Sequence, residues 1–205
     1  FLKSCLTTVT PARGMFSESP LDQELMAEAI QKLAVEAKIT SKNVNIALPE
    51  NQVFTKVIEM PILSDKELSS AIYWEAEQHI PAPLPTMTID YKVLRRQNDN
   101  SVQSKMQVLL VGAPTALINR YQQILSLTGL SINSVETEIL SVIRSLVPDK
   151  ANSVTLIVNI GALGSSVAIM QNGVVVFTYS IALGGVAMDR AIASNFGFTM
   201  PQAEE

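Results

Sequence analysis

Leu156-Ile157-Val158-Asn159-Ile160-Gly161-Ala162-Leu163-Gly164-Ser165-Ser166 is the stretch on which the reading of this chain turns. Apart from Asn159 its first five residues are large and apolar, which predicts a strand. Two glycines then bracket a tight turn, and two hydroxyls open the next run. A turn of this kind can aim backbone N–H groups into one concave spot, where an anion such as a phosphate satisfies them. The same turn also serves an ordinary β-hairpin.

The flanking sequence adds a second turn of the same character. Strand signals run over Val154 to Ile160, Ser165 to Met170 and Val174 to Ser180, and Asn172-Gly173 supplies the hairpin between the last two. Ala182-Leu183-Gly184-Gly185-Val186 then opens a helix expected from Val186 to Phe196. Two glycine turns thus flank one three-stranded unit. A helix N-terminus after a glycine pair can receive negative charge, and a glycine pair there also makes a plain strand-to-helix connection.

Upstream, helical and strand periodicities alternate. Ser19-Pro20-Leu21-Asp22 predicts a capping box opening a helix over about 20–38, followed by strands at Val44 to Leu48 and Val53 to Met60. Ser64 to Glu67 predicts a second capping box, opening a helix with Leu68, Ile72, Ala76 and Ile80 on one stripe until Pro81. Pro81 to Pro85 reads as a stiff extended strap. Thr88 to Arg95 and Lys105 to Val111 read as strands around a polar loop at 97–104, and Pro114 to Thr128 as a helix stopped by Gly129. A buried strand at Ser131 to Val135 and a helix over Thr137 to Val147, ended by Pro148-Asp149, complete this half. The pattern changes at Ala151-Asn152-Ser153, the expected domain boundary.

Composition excludes several function classes. The chain has 205 residues, 47% of them hydrophobic, and a net charge of -4, with no basic run longer than Arg95-Arg96, so it carries no electrostatic footprint for nucleic acid. A single cysteine, Cys5, and a single histidine, His79, give neither a disulfide framework nor a zinc set, and the chain reads as cytosolic. No apolar run approaches the ~20 residues of a membrane-spanning helix. The opening without Met and the helix-like close at Pro201 to Glu205 read as the ends of a piece of a longer chain.

Isolated candidates have plain explanations. His79 in a last helical turn favours the local dipole, Tyr73 and Trp74 read as core or interface aromatics, and Cys5 reads as a small buried hydrophobe. Glu75 and Glu77, two apart on a helix, point to different sides and make no carboxylate pair. No residue is assigned a catalytic role.

Asn159-Ile160-Gly161-Ala162 resembles the Asp-Ile-Gly-Ala hairpin of the actin, Hsp70 and FtsA superfamily, with Asn159 in place of its first residue. Further stretches resemble the PilM family of type IV pilus assembly proteins: Asn43 to Pro49, Met60-Pro61, Ala71 to Pro81, Val135-Glu136-Thr137-Glu138 and the two glycine turns.

That resemblance implies an actin-like (ribonuclease H-like) α/β fold with an inserted small α+β subdomain. Residues 1–50 and 130–150 would form the first actin-like subdomain, 51–129 the insertion, and 151–205 the start of the second. It implies ATP and Mg2+ as cofactors. Gly161, Ala162, Leu163, Gly164, Ser165 and Ser166 would form a phosphate loop, Asn159 the metal-side position acting through water, and Gly184 and Gly185 a second contact near the nucleotide. Glu136 or Glu138 would be a cleft carboxylate, and Glu204 or Glu205 would begin a helix reaching the adenosine. Loss of the usual Asp at position 159 implies slow or absent hydrolysis, because magnesium prefers anionic oxygen ligands.

The implied role is a cytoplasmic scaffold at the inner face of the membrane, recruiting the N-terminal tail of PilN. Other pilus inner-membrane components, and further copies of itself, are implied partners. An FtsA-like division protein and a small-molecule kinase of the same superfamily are the alternative readings.

Overall fold

The computed structural model describes residues 3–11, 14–97, 105–147 and 153–205. The polar loop expected at 97–104, the Pro148-Asp149 stop and the boundary expected at 151–153 fall wholly or mainly outside these. In chain order the elements are α1 (Pro20–Glu36), β1 (Asn43–Leu48), β2 (Phe54–Pro61), α2 (Asp65–His79), β3 (Met87–Gln97), β4 (Lys105–Pro114) and α3 (Thr115–Leu127). There follow β5 (Ser131–Thr137), α4 (Glu138–Leu146), β6 (Val154–Ile160), β7 (Ser165–Gln171), β8 (Val174–Ile181), α5 (Gly185–Phe196) and α6 (Met200–Glu204). The chain divides into two compact units, Phe1–Ile46 with Pro114–Glu136, and Ala47–Ala113 with Thr137–Glu205.

In the first unit α1 packs on α3, with Met26 and Ala27 closing over Ile124. The sequence reading placed α3 in the insertion; its apolar stripe is instead covered by α1, so it belongs to this compact unit. β1 and β5 form a two-stranded sheet. β5, expected to be buried, is mostly exposed, because a two-stranded ribbon has too little sheet to cover it.

Ser19 makes no side-chain cap; Ser17 instead ties the start of the helix, donating to the Asp22 carboxylate and accepting the Ser19 N–H at 3.2 Å. Residues 3–11 adopt no helix or strand, so Cys5 has no sheet to bury it and is exposed. The proline strap contains a 3-10 turn, Leu84–Thr86, because the φ that proline fixes suits that turn, and it buries Leu84.

In the second unit one sheet runs in the order β2-β4-β3, with β2 antiparallel to β4 and Ile58 opposite Val108. α2 covers it. The Ser64 to Glu67 capping box forms as expected, with Ser64 N–H donating to the Glu67 carboxylate at 2.9 Å. Leu68, Ile72 and Ala76 meet Met106, Val108 and Leu110 in a fully buried layer. Tyr73 and Trp74 face away from that layer and are exposed, so they are not core. His79 is an ordinary helix-end residue within reach of Glu75 and Lys56.

The other sheet, β6-β7-β8, is antiparallel throughout. Asn172 and Gly173 both have positive φ, the conformation a two-residue hairpin of matching twist demands. One face of this sheet packs on α4, Ile139 and Ile143 meeting Ile157, Ala168 and Met170. Its edge strand β8 runs beside β2, and the Thr178 hydroxyl donates to the Thr55 carbonyl at 2.8 Å. The glycine turn therefore projects from the end of a sheet anchored on two sides.

Candidate functional site

The turn between β6 and β7 closes on itself, the Gly161 N–H donating to the Gly164 carbonyl at 2.9 Å. It is also braced from outside. The first amides of α5, Gly185 and Val186, donate to the carbonyls of Gly161 and Ala162 at 2.9 and 3.0 Å. Gly184 is buried against the turn, where a β-carbon would lie 2.4 Å from the Gly161 carbonyl oxygen and 2.6 Å from the Gly164 nitrogen. Gly185, one residue on, has nothing within 4 Å of its would-be β-carbon. The two glycine turns thus meet backbone to backbone, which only glycine at position 184 permits.

The candidate residues fall into three groups. Gly161, Ala162, Leu163 and Gly164 form the turn, with Ala162 and Leu163 exposed at its tip. Ser165 points its hydroxyl to the Leu183 carbonyl at 2.7 Å, so it clasps the two turns together. Asn159 and Ser166 are a cross-strand pair, and Ser166 pairs in turn with Ser180 on β8. Ser166 is buried at 2% exposure and its hydroxyl has no hydrogen-bond partner among the described residues. Glu138 sits in the first turn of α4. Glu136 belongs to the other compact unit.

This geometry bears on a phosphate-bearing ligand. An exposed, rigidly braced glycine turn fits a ligand that binds through backbone. The α5 terminus is different: its first two amides are spent on the turn, so Gly184 and Gly185 act as a buttress. Among the described residues no group of three or more His, Cys, Asp or Glu could hold a metal ion.

One polar centre escaped the sequence reading. Glu50, in a short 3-10 turn between β1 and β2, is only 6% exposed. Its Oε1 accepts the Ile139 N–H at the start of α4 at 3.0 Å, and its Oε2 accepts the Ser180 hydroxyl at 3.3 Å. Burial lifts its carboxyl above the usual range, against the pull of the nearby Thr137 hydroxyl and of the Ile139 and Ser180 donors. Thr137 is itself buried and lies beside the carboxylate without a hydrogen bond of normal geometry. The only signal in the sequence is an acidic residue directly after Leu48-Pro49, between two apolar strands.

Comparison with known proteins gives a consistent picture. A family model described as type IV pilus assembly protein PilM matches residues 3–205. Among solved structures, the PilM-PilN type IV pilus biogenesis complex superposes with a TM-score of 0.83 at 23% identity, over 98% of this chain and 61% of that one. The cytoplasmic domain of EpsL, an inner membrane component of the type II secretion system of Vibrio cholerae, superposes with a TM-score of 0.52 at 14% identity, over 84% of this chain and 63% of that one. The chain therefore spans about three fifths of the length of the solved chains it resembles. The architecture they share with it is the α/β, actin-like one.

Proposed function

The chain belongs to the family of type IV pilus assembly proteins described as PilM, and from that premise we propose that it is part of a nucleotide-binding scaffold of the pilus inner-membrane platform. The observation that carries the nucleotide reading is the backbone contact between the two glycine turns, which braces the turn 161–164 and leaves Ala162 and Leu163 exposed at its tip. Rigidity at that point lowers the ordering cost of binding an anion.

In this reading the backbone amides of Ala162, Leu163 and Gly164 meet the distal phosphates of ATP, Gly161 holds the turn closed, and Asn159 faces the water shell of Mg2+. Magnesium supplies charge neutralisation to the phosphates. Ser165, Gly184 and Gly185 keep the turn in shape, and Glu138, in the first turn of α4, is the candidate cleft carboxylate. An amide at position 159 holds water less strongly polarised than a carboxylate would, so binding outlasts hydrolysis and the nucleotide biases conformation.

The recruited partner is the N-terminal cytoplasmic peptide of PilN, taken up on a partly preformed surface. Other inner-membrane pilus components and further copies of the protein complete the assembly. Among the described residues no helix is long and apolar enough to cross a membrane, and the proposed location, peripheral at the inner face, comes through the partner.

Leu163 gives a clean test because it is 59% exposed and its replacement disturbs no core. Leu163→Glu in the whole protein places a carboxylate where the phosphates are proposed to lie. Calorimetric titration with magnesium and AMP-PNP is expected to show saturable binding by the wild type and at least a roughly ten-fold loss in the variant, with the melting temperature unchanged. Equal affinities would contradict the placement of the phosphates.

A further inference from the structure

Glu50 is costly where it stands. A carboxylate removed from water is retained where its acceptors are used, and both oxygens of Glu50 are. The groups they hold are far apart in sequence, by 89 residues to Ile139 and 130 to Ser180. One is the amide of the second residue of α4; the other stands on β8.

Position explains why this matters for the glycine turn. Ser180 is opposite Ser166, and Ser166 is opposite Asn159, so a polar row crosses the sheet one residue below the Ile160–Ser165 pair that carries the turn. Glu50 grips the β8 end of that row. Its neighbour Asn51 passes near the turn, its Cβ 3.7 Å from where a β-carbon on Gly164 would stand. Glu50 therefore holds one end of the row beneath the turn, and the chain at Asn51 passes beside Gly164, while Gly184 braces the turn from α5.

We propose that Glu50 is a positioning residue: it sets the Gly161–Gly164 turn relative to the start of α4. It links the turn to the short segment from which β2 departs. Its effect on ligand affinity rests on the phosphate reading given above, whereas its effect on the turn does not.

Hydrogen exchange followed by mass spectrometry on the whole protein separates the two. The variants are Glu50→Ala, Glu50→Gln, whose amide can accept from Ile139 and donate to Ser180, and Ser180→Ala, which removes one partner only. In Glu50→Ala the peptide covering 160–166 is expected to exchange at least about ten-fold faster, with peptides of the β2–β4 sheet unchanged; Ser180→Ala moves the same peptide in the same direction, and Glu50→Gln stays within about two-fold of wild type. Affinity for magnesium and AMP-PNP follows the same order.

Faster exchange confined to α4, with the turn unchanged, would overturn the proposal. Should Glu50→Ala fail to fold, Ser180→Ala decides it, an unchanged turn in that variant being sufficient to overturn it. Absence of nucleotide binding by the wild type would remove the phosphate reading and leave the exchange result to decide the positioning role.

Discussion

Gly184 and Gly161 touch through their backbones: a β-carbon at position 184 would stand 2.4 Å from the Gly161 carbonyl oxygen, closer than any real contact. The neighbouring atoms are backbone, anchored by the Gly185-to-Gly161 and Val186-to-Ala162 hydrogen bonds. They cannot swing aside as a side chain would.

Gly184→Ala must therefore separate the two turns. The expected cost is about 1–3 kcal/mol, as for other overpacked sites, together with weakened nucleotide binding. Gly185→Ala, in open space one residue on, should stay within about 0.5 kcal/mol of wild type. Urea denaturation of both variants checks this, and equal effects at the two positions would contradict the contact.

Glu50 makes a pH-dependent prediction. Burial, aided by the charge of Glu138, lifts its carboxyl above the ordinary 4.5. A carboxyl with a raised folded pKa binds its proton more tightly in the folded state, so its ionisation subtracts stability: the penalty is absent below 4.5 and develops as pH rises through the folded value. Glu50→Gln cannot ionise. Its stability relative to wild type should therefore rise from about pH 4 upward and level off, as read from urea midpoints across pH. A difference that is flat with pH would contradict it.

At the start of α1 the side-chain hydrogen bonds come from Ser17 and not from the N-cap residue Ser19. Ser17→Ala removes the hydroxyl that both donates to Asp22 and accepts the Ser19 N–H, and should cost about 1 kcal/mol. Ser19→Ala should cost under about 0.5 kcal/mol, since that side chain makes no cap. Thermal melts of the two variants discriminate between the residues.

Much of this fold was legible because its signals are local. The Asn172-Gly173 hairpin, the Ser64 to Glu67 capping box and the Leu68–Ile72–Ala76 stripe each depend on residues a few positions apart. What escaped depends on distant neighbours. Cys5 lies in a strand-like run, yet a strand is buried only where another covers it; α3 has a readable apolar stripe, but nothing in its own residues says that Met26 and Ala27 are what it meets. The glycine turns were legible for the same local reason, being marked by residue type. Their mutual contact and the Glu50 link, which spans 89 and 130 residues, exist only in three dimensions.

The most direct test of the account is a calorimetric titration of the whole protein with a peptide copying the cytoplasmic N-terminal tail of its PilN, with and without magnesium and ATP. Saturable binding is expected, with an affinity that shifts with nucleotide, the size of the shift being the coupling free energy between the two sites. Failure of the peptide to bind under either condition would contradict the scaffold role, and binding indifferent to nucleotide would contradict the link between the glycine turn and recruitment.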